Sequence, residues 1–165
     1  MIELTDEYIN MTNTSIEQLV DDYIGCKEEE CGLVIALAYL KAETNIFTFA
    51  HWKSFGETFY GDHLMMERIY DDSYELIDPI AERIISLSGD ILDPVNITAL
   101  SSELFSLLWD GEQIENQDDI IKISYVAALG FKNLIGSLFE ETPDSLGEAE
   151  DKHNEFIYLL NGRLS

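Results

Sequence analysis

Apolar residues recur every three or four positions through most of this chain, and nowhere do they alternate at every second position. That period belongs to helices burying one face, whereas a half-buried strand needs the alternation that is missing. The chain is therefore expected to be all-α. Ile16, Leu19, Val20, Tyr23 and Ile24 follow a Thr14-x-x-Glu17 capping box and run to Gly25, which predicts a short amphipathic first helix. From Glu29 to Phe55 the helical pattern holds with only Gly32 inside it, and Gly56 supplies a stop. The stretch from Thr58 to Ser88 then carries Ile69, Leu76, Ile77, Ile80, Ile84 and Leu87 on one stripe, ending at Gly89. So short a link makes these two long helices fold back on each other.

Residues 89–98 read as a loop, and Ala99 to Trp109 as a short crossover helix closed by Asp110-Gly111. A third long helix is expected from Gln117 to Glu141, with Pro143 ending it, and a final one after a second capping box, Ser145-x-x-Glu148. Ala149, His153, Phe156, Ile157 and Leu160 form its buried face, so His153 is expected to be a packed histidine. The expected architecture is four long helices with a short crossover helix between the second and third. Residues 1–28 form an N-terminal segment and residues 29–165 the bundle.

The chain has 165 residues, the size of one domain, and its 33 acidic against 9 basic side chains give a formal net charge of -24. No basic cluster exists to displace counterions from a phosphate backbone, which argues against DNA binding. The longest apolar run, Leu33 to Leu40, stops at Lys41, and Met1-Ile2-Glu3-Leu4 lacks the layout of a secretory signal. A soluble, cytoplasmic protein without a membrane span is expected. Cys26 and Cys31 fit neither a CxxC pair nor a zinc knuckle and are expected to be reduced thiols.

Histidine is scarce, so its placement is informative. His51 and His63 lie equally far from the Gly56-Glu57 break and would face each other across a helical hairpin. Glu67 follows His63 by one turn, which suggests a local group of two imidazoles and one carboxylate. Asp78 and Glu82 form another carboxylate pair, on the same face as Glu67 but about 16 Å further along the helix. Ligands of one metal must lie within about 2.6 Å of it, so one chain cannot close such a site. A second, antiparallel copy would set Asp78 and Glu82 against its partner's imidazoles, and such a mixed donor set suits iron before manganese or zinc.

At these residues a family pattern emerges. The run Ala50-His51-Trp52-Lys53-Ser54-Phe55-Gly56-Glu57-Thr58-Phe59, the His63-x-x-x-Glu67 spacing, Asp78-Pro79-Ile80-Ala81-Glu82-Arg83 and Leu87-Ser88-Gly89 together resemble the Dps family of mini-ferritins. The resemblance implies a ferritin-like four-helix bundle, assembled as a hollow dodecamer of two-fold dimers. It implies that ferrous iron is oxidised by hydrogen peroxide or oxygen between subunits and stored as ferric mineral, protecting against oxidative damage. His51, His63 and Glu67 of one subunit, with Asp78 and Glu82 of the next, would be both metal ligands and catalytic groups. They would hold two irons, or one strongly and one weakly, with other divalent cations as alternatives. Trp52 is cast as an electron donor, with an interface anchor as the equal alternative. Glu140, Glu141 and Asp144 correspond to regions that line ion passages in the family, or are simply exposed.

The sequence departs from the family in three places. Glu67 stands where aspartate is usual, the lysine-rich terminus is missing, and Pro79 lies inside the second long helix. A proline there removes a backbone hydrogen bond and clashes with the preceding turn, which predicts a kink near Glu75 to Asp78. Two other readings stand beside a ferroxidase: a non-catalytic structural or interaction protein on the same bundle, and an unselective cation buffer.

Overall fold

A computed structural model describes residues 1–23, 29–88 and 92–165, excluding the Tyr23 side chain, and it is all-helical with no strand among those residues. Its α-helices are α1 (Asp6–Tyr23), α2 (Glu29–Trp52), α3 (Phe59–Glu75), α4 (Ile77–Ser88), α5 (Pro94–Leu108), α6 (Gln117–Leu138) and α7 (Gly147–Leu164). Single 3-10 turns occupy Gly111–Gln113 and Asp144–Leu146. Ile24, Cys26 and the stops expected at Gly25 and Gly89 lie outside the described residues.

The spine is α2, which touches α3, α4, α5 and α6. Leu33, Ile35, Leu37, Tyr39, Leu40, Ile46 and Phe47 are buried around its whole circumference, the pattern of a helix at the centre of a core. By length and composition this helix could span a membrane, yet 72% of its most apolar window is buried inside the fold, as in the core helix of a bundle. Gly32 explains itself here: a Cβ would lie 2.5 Å from the ring tip of Phe139, so the helix and that ring meet only over a glycine. α6 packs on α7 and α2, and α1 lies on α6 and α5, placing Ile16 and Val20 in the same core as the rest.

The α2 helix stops at Trp52, three residues short of the expected Phe55, and boundaries of α1, α5, α6 and α7 move as well. α1 begins at Asp6, not near Thr14, because the Thr5 hydroxyl accepts from the Tyr8 N–H and caps the helix earlier; Thr14 and Ser15 are interior. α5 begins at Pro94 because the Asp93 carboxylate accepts from the N–H groups of Val95 and Asn96, with proline pre-set for the first helical position. α6 starts on a full capping box between Asn116 and Asp119 and stops at Leu138, three residues short of the expected Glu141. The box expected at Ser145 is not made: a 3-10 turn covers Asp144–Leu146, and α7 starts without a side-chain cap.

The second long helix is two helices. α3 ends at Glu75 and α4 begins at Ile77, and the Leu76 N–H reaches back to the Ser73 carbonyl, at 3.2 Å, in place of the α-helical partner. Pro79 is the cause: it has no N–H to offer the Glu75 carbonyl, and its ring crowds that oxygen. The kink predicted between Glu75 and Asp78 therefore lies at Leu76. Cys31 also corrects an expectation: it is disulfide-bonded, not a reduced thiol.

Candidate functional site

The sharpest chemistry sits at the corner between α2 and α3. The chain leaves α2 after Trp52 and reverses at Gly56, whose φ of +80° is strained for any residue with a Cβ. The Phe55 N–H donates to Gln117 Oε1 at 3.0 Å, tying this turn to the start of α6. The return path places His63 alongside His51. Their rings stack at 3.9 Å between centroids, tilted by 22°. His51 Nδ1 lies 2.9 Å from the His63 carbonyl oxygen, and His63 Nδ1 lies 3.0 Å from the His51 carbonyl oxygen. A carbonyl can only accept, so both Nδ1 atoms carry the proton and donate. When neutral, each ring then presents an Nε2 lone pair, and neither Nε2 has a hydrogen-bond partner among the described residues. Fixing one ring nitrogen on a carbonyl so that the other is aimed outward is how proteins orient metal-binding histidines.

The carboxylates are not gathered with them. Glu67, Asp78 and Glu82 are all exposed, the first on α3 and the other two on α4. Among the described residues of one chain, no three His, Cys, Asp or Glu side chains are close enough to hold a metal ion. The expected local trio of His51, His63 and Glu67 therefore reduces to the imidazole pair. Around the corner lies a band of exposed apolar and aromatic side chains: Trp52 at 66% exposure, Tyr60 at 75%, and Phe55, Phe59 and Leu64 between 43% and 46%. Trp52 meets Phe49 edge-on at 5.5 Å, and Phe49 in turn meets Phe105 and Trp109 of the α5 end.

The third histidine sits in a different setting. His153 is fully buried on α7, as its apolar stripe predicts, with its ring stacked 3.9 Å over Phe131. Its Nδ1 donates to the Ala149 carbonyl at 2.6 Å, and its Nε2 lies 2.5 Å from Oε1 of Glu43, itself fully buried on α2. Glu43 Oε2 has no partner among the described residues. Burial pushes the Glu43 carboxyl above the ordinary range, with the His153 charge and hydrogen bond opposing it. Sequence reading missed Glu43, although a carboxylate on the helical face between the apolar run Leu33 to Leu40 and Ile46-Phe47 is a visible signal. Glu150 accepts from Thr142 Oγ1 and does not join His153. Exposed Glu140, Glu141 and Asp144 line, with Glu29 and Arg83, an open cleft of about 700 Å³. No family model, curated protein or solved structure matches this chain.

Proposed function

We propose that the chain is a mini-ferritin: a ferritin-like four-helix bundle of α2, the α3–α4 arm, α6 and α7, with α5 crossing between them, that binds iron between two copies of itself and oxidises it. The observation that carries this reading is the mutually buttressed histidine pair, whose Nε2 atoms are left for a ligand. A second copy running antiparallel would add Asp78 and Glu82 to His51, His63 and Glu67. The exposed apolar band beside the histidines is the kind of surface a partner copy covers. Assembly as a dodecamer and storage of ferric mineral extend the same reading.

In this mechanism iron is the substrate. Imidazole nitrogens and carboxylate oxygens of two chains hold ferrous ions with coordination positions open to the oxidant. Each ferrous ion loses one electron; a peroxide takes up two electrons and two protons, its O–O bond breaks, and two waters leave. The carboxylates stabilise the ferric product, whose charge is higher. Where only one ferrous ion is bound, Trp52 beside His51 is placed in sequence to supply the second electron.

The test is ferrous oxidation by peroxide, followed by ferric absorbance, for the native protein, His63→Ala and Glu82→Ala. The native chain should outpace buffer and each variant should not. Because the two ligands come from different chains, refolding the two inactive variants together should restore part of the rate. Equal rates with and without native protein would reject the reading. A second reading, a bundle with no catalytic role, draws on the absence of any three-ligand group within one chain's described residues. It requires a normal oligomer that leaves the rate unchanged.

A further inference from the structure

The reciprocal bonds between His51 and His63 tolerate little movement, since each needs a backbone carbonyl and a ring nitrogen of opposite helices to stay within hydrogen-bond range. Something must therefore fix the first turns of α3 against the rest of the fold. The residue before His63 is Asp62, a carboxylate only 2% exposed. Its two oxygens accept from one guanidinium on the last turn of α7: Arg163 Nε reaches Oδ1 at 2.6 Å and Arg163 Nη2 reaches Oδ2 at 3.1 Å. Thr58 Oγ1, just before α3, donates to the same Oδ2 at 2.8 Å and accepts from Arg163 at 3.2 Å. Arg163 also donates to Asp118 Oδ1, on the first turn of α6, at 2.8 Å. One arginine thus binds the start of α3, the start of α6 and the end of α7.

From this geometry we propose that Arg163 and Asp62 are positioning residues for the histidine pair. The paired donors of a guanidinium match a carboxylate in one orientation only, so the contact sets direction as well as distance. Asp62 and His63 are adjacent on one helical turn, about 100° apart around its axis. Holding the first inward fixes where the second can stand, and with it the carbonyl that accepts from His51. That the pair serves a metal rests on the function proposed above; that the clamp sets its register does not.

Two measurements on the full chain separate these claims. The first uses metal-free protein: the nitrogen-15 shifts of the His51 and His63 rings report the Nδ1-protonated tautomer and its hydrogen bonds. Arg163→Lys keeps the charge but loses the paired geometry, and Asp62→Asn keeps the shape; both should shift these signals toward a mixed tautomer. Arg68→Met, which removes a surface pair with Glu155, should leave them in place. The second titrates cobalt(II), read by its visible absorption band, and the clamp variants should bind about 10-fold to 100-fold more weakly than native, as for other partners that orient metal ligands. Circular dichroism confirms that each variant is folded. Native-like histidine signals in both folded clamp variants would overturn the proposal. Altered signals together with no cobalt band even from native protein would uphold the clamp and sink the metal reading instead.

Discussion

Two histidine sites in this fold both draw on α2, one through Glu43 and the other through His51, and they differ in how their ring nitrogens are used. On α7, His153 spends both ring nitrogens on the protein, Nδ1 on the Ala149 carbonyl and Nε2 on buried Glu43. At the α2–α3 corner, His51 and His63 bond one nitrogen each, and at these half-buried positions Nε2 has no partner among the described residues. The first histidine has both ring nitrogens bonded inside a core, and each histidine of the second site has one bonded at its edge. Satisfied hydrogen-bonding capacity, more than burial or neighbouring charge, separates a histidine that holds a fold together from one that can take a ligand.

The contrast is easiest to break at His153. Replacing it with alanine leaves the buried Glu43 carboxyl without its hydrogen-bond partner, an unsatisfied group that costs about 1 to 3 kcal/mol, and empties the space of a packed ring, which adds to the loss. Urea unfolding should show that loss, and a loss under about 1 kcal/mol would mean that the core reorganises around the carboxylate.

A smaller effect is expected from pH. Because burial holds the Glu43 carboxyl above its ordinary value, the native state keeps a proton that the unfolded chain releases. Stability should therefore fall as pH rises from the ordinary carboxylate range to the raised native value. Glu43→Gln, which can still donate to His153 Nε2, should flatten that part of the pH–stability curve. An unchanged slope would move its cause to another group.

At the corner the order reverses. His63→Ala removes its own Nδ1 bond, about 0.5 to 1.5 kcal/mol, yet should abolish iron oxidation. Loss of stability as large as at His153 would erase the distinction between the two sites. Smallest of all, Trp52→Ala should change stability by less than about 0.5 kcal/mol, because the side chain is largely exposed. Its effect should instead be seen in subunit association, measured by sedimentation, and no change there would remove Trp52 from the proposed contact.

Helix order, the hairpin at Gly56, the facing histidines and the kink caused by Pro79 could all be read from the sequence, because each follows from spacing along a single segment. The start of α1 was harder: Asn10, Thr12, Asn13 and Thr14 are indifferent helix formers, and the Thr14-x-x-Glu17 pattern outweighed the true cap at Thr5. The Asp93-Pro94 start of α5 sits in a stretch whose Gly, Asp, Asn and Pro residues equally suit a loop. Glu43 with His153, and Asp62 with Arg163, lay beyond reach for a different reason: their partners are 110 and 101 residues apart, and no local pattern pairs them. Of the candidate site, sequence spacing located the imidazole pair but not its mutual bonds, since which nitrogen meets which carbonyl depends on how the two helices rotate.

The interruption at Leu76 makes the returning arm two short rods instead of one. The imidazoles and Glu67 belong to the first half or its neighbour, whereas Asp78 and Glu82 ride on the second. Under the proposed function, substitutions around the joint would swing one set of donors while leaving the other undisturbed, so that cation preference could be adjusted without redesigning the histidine corner.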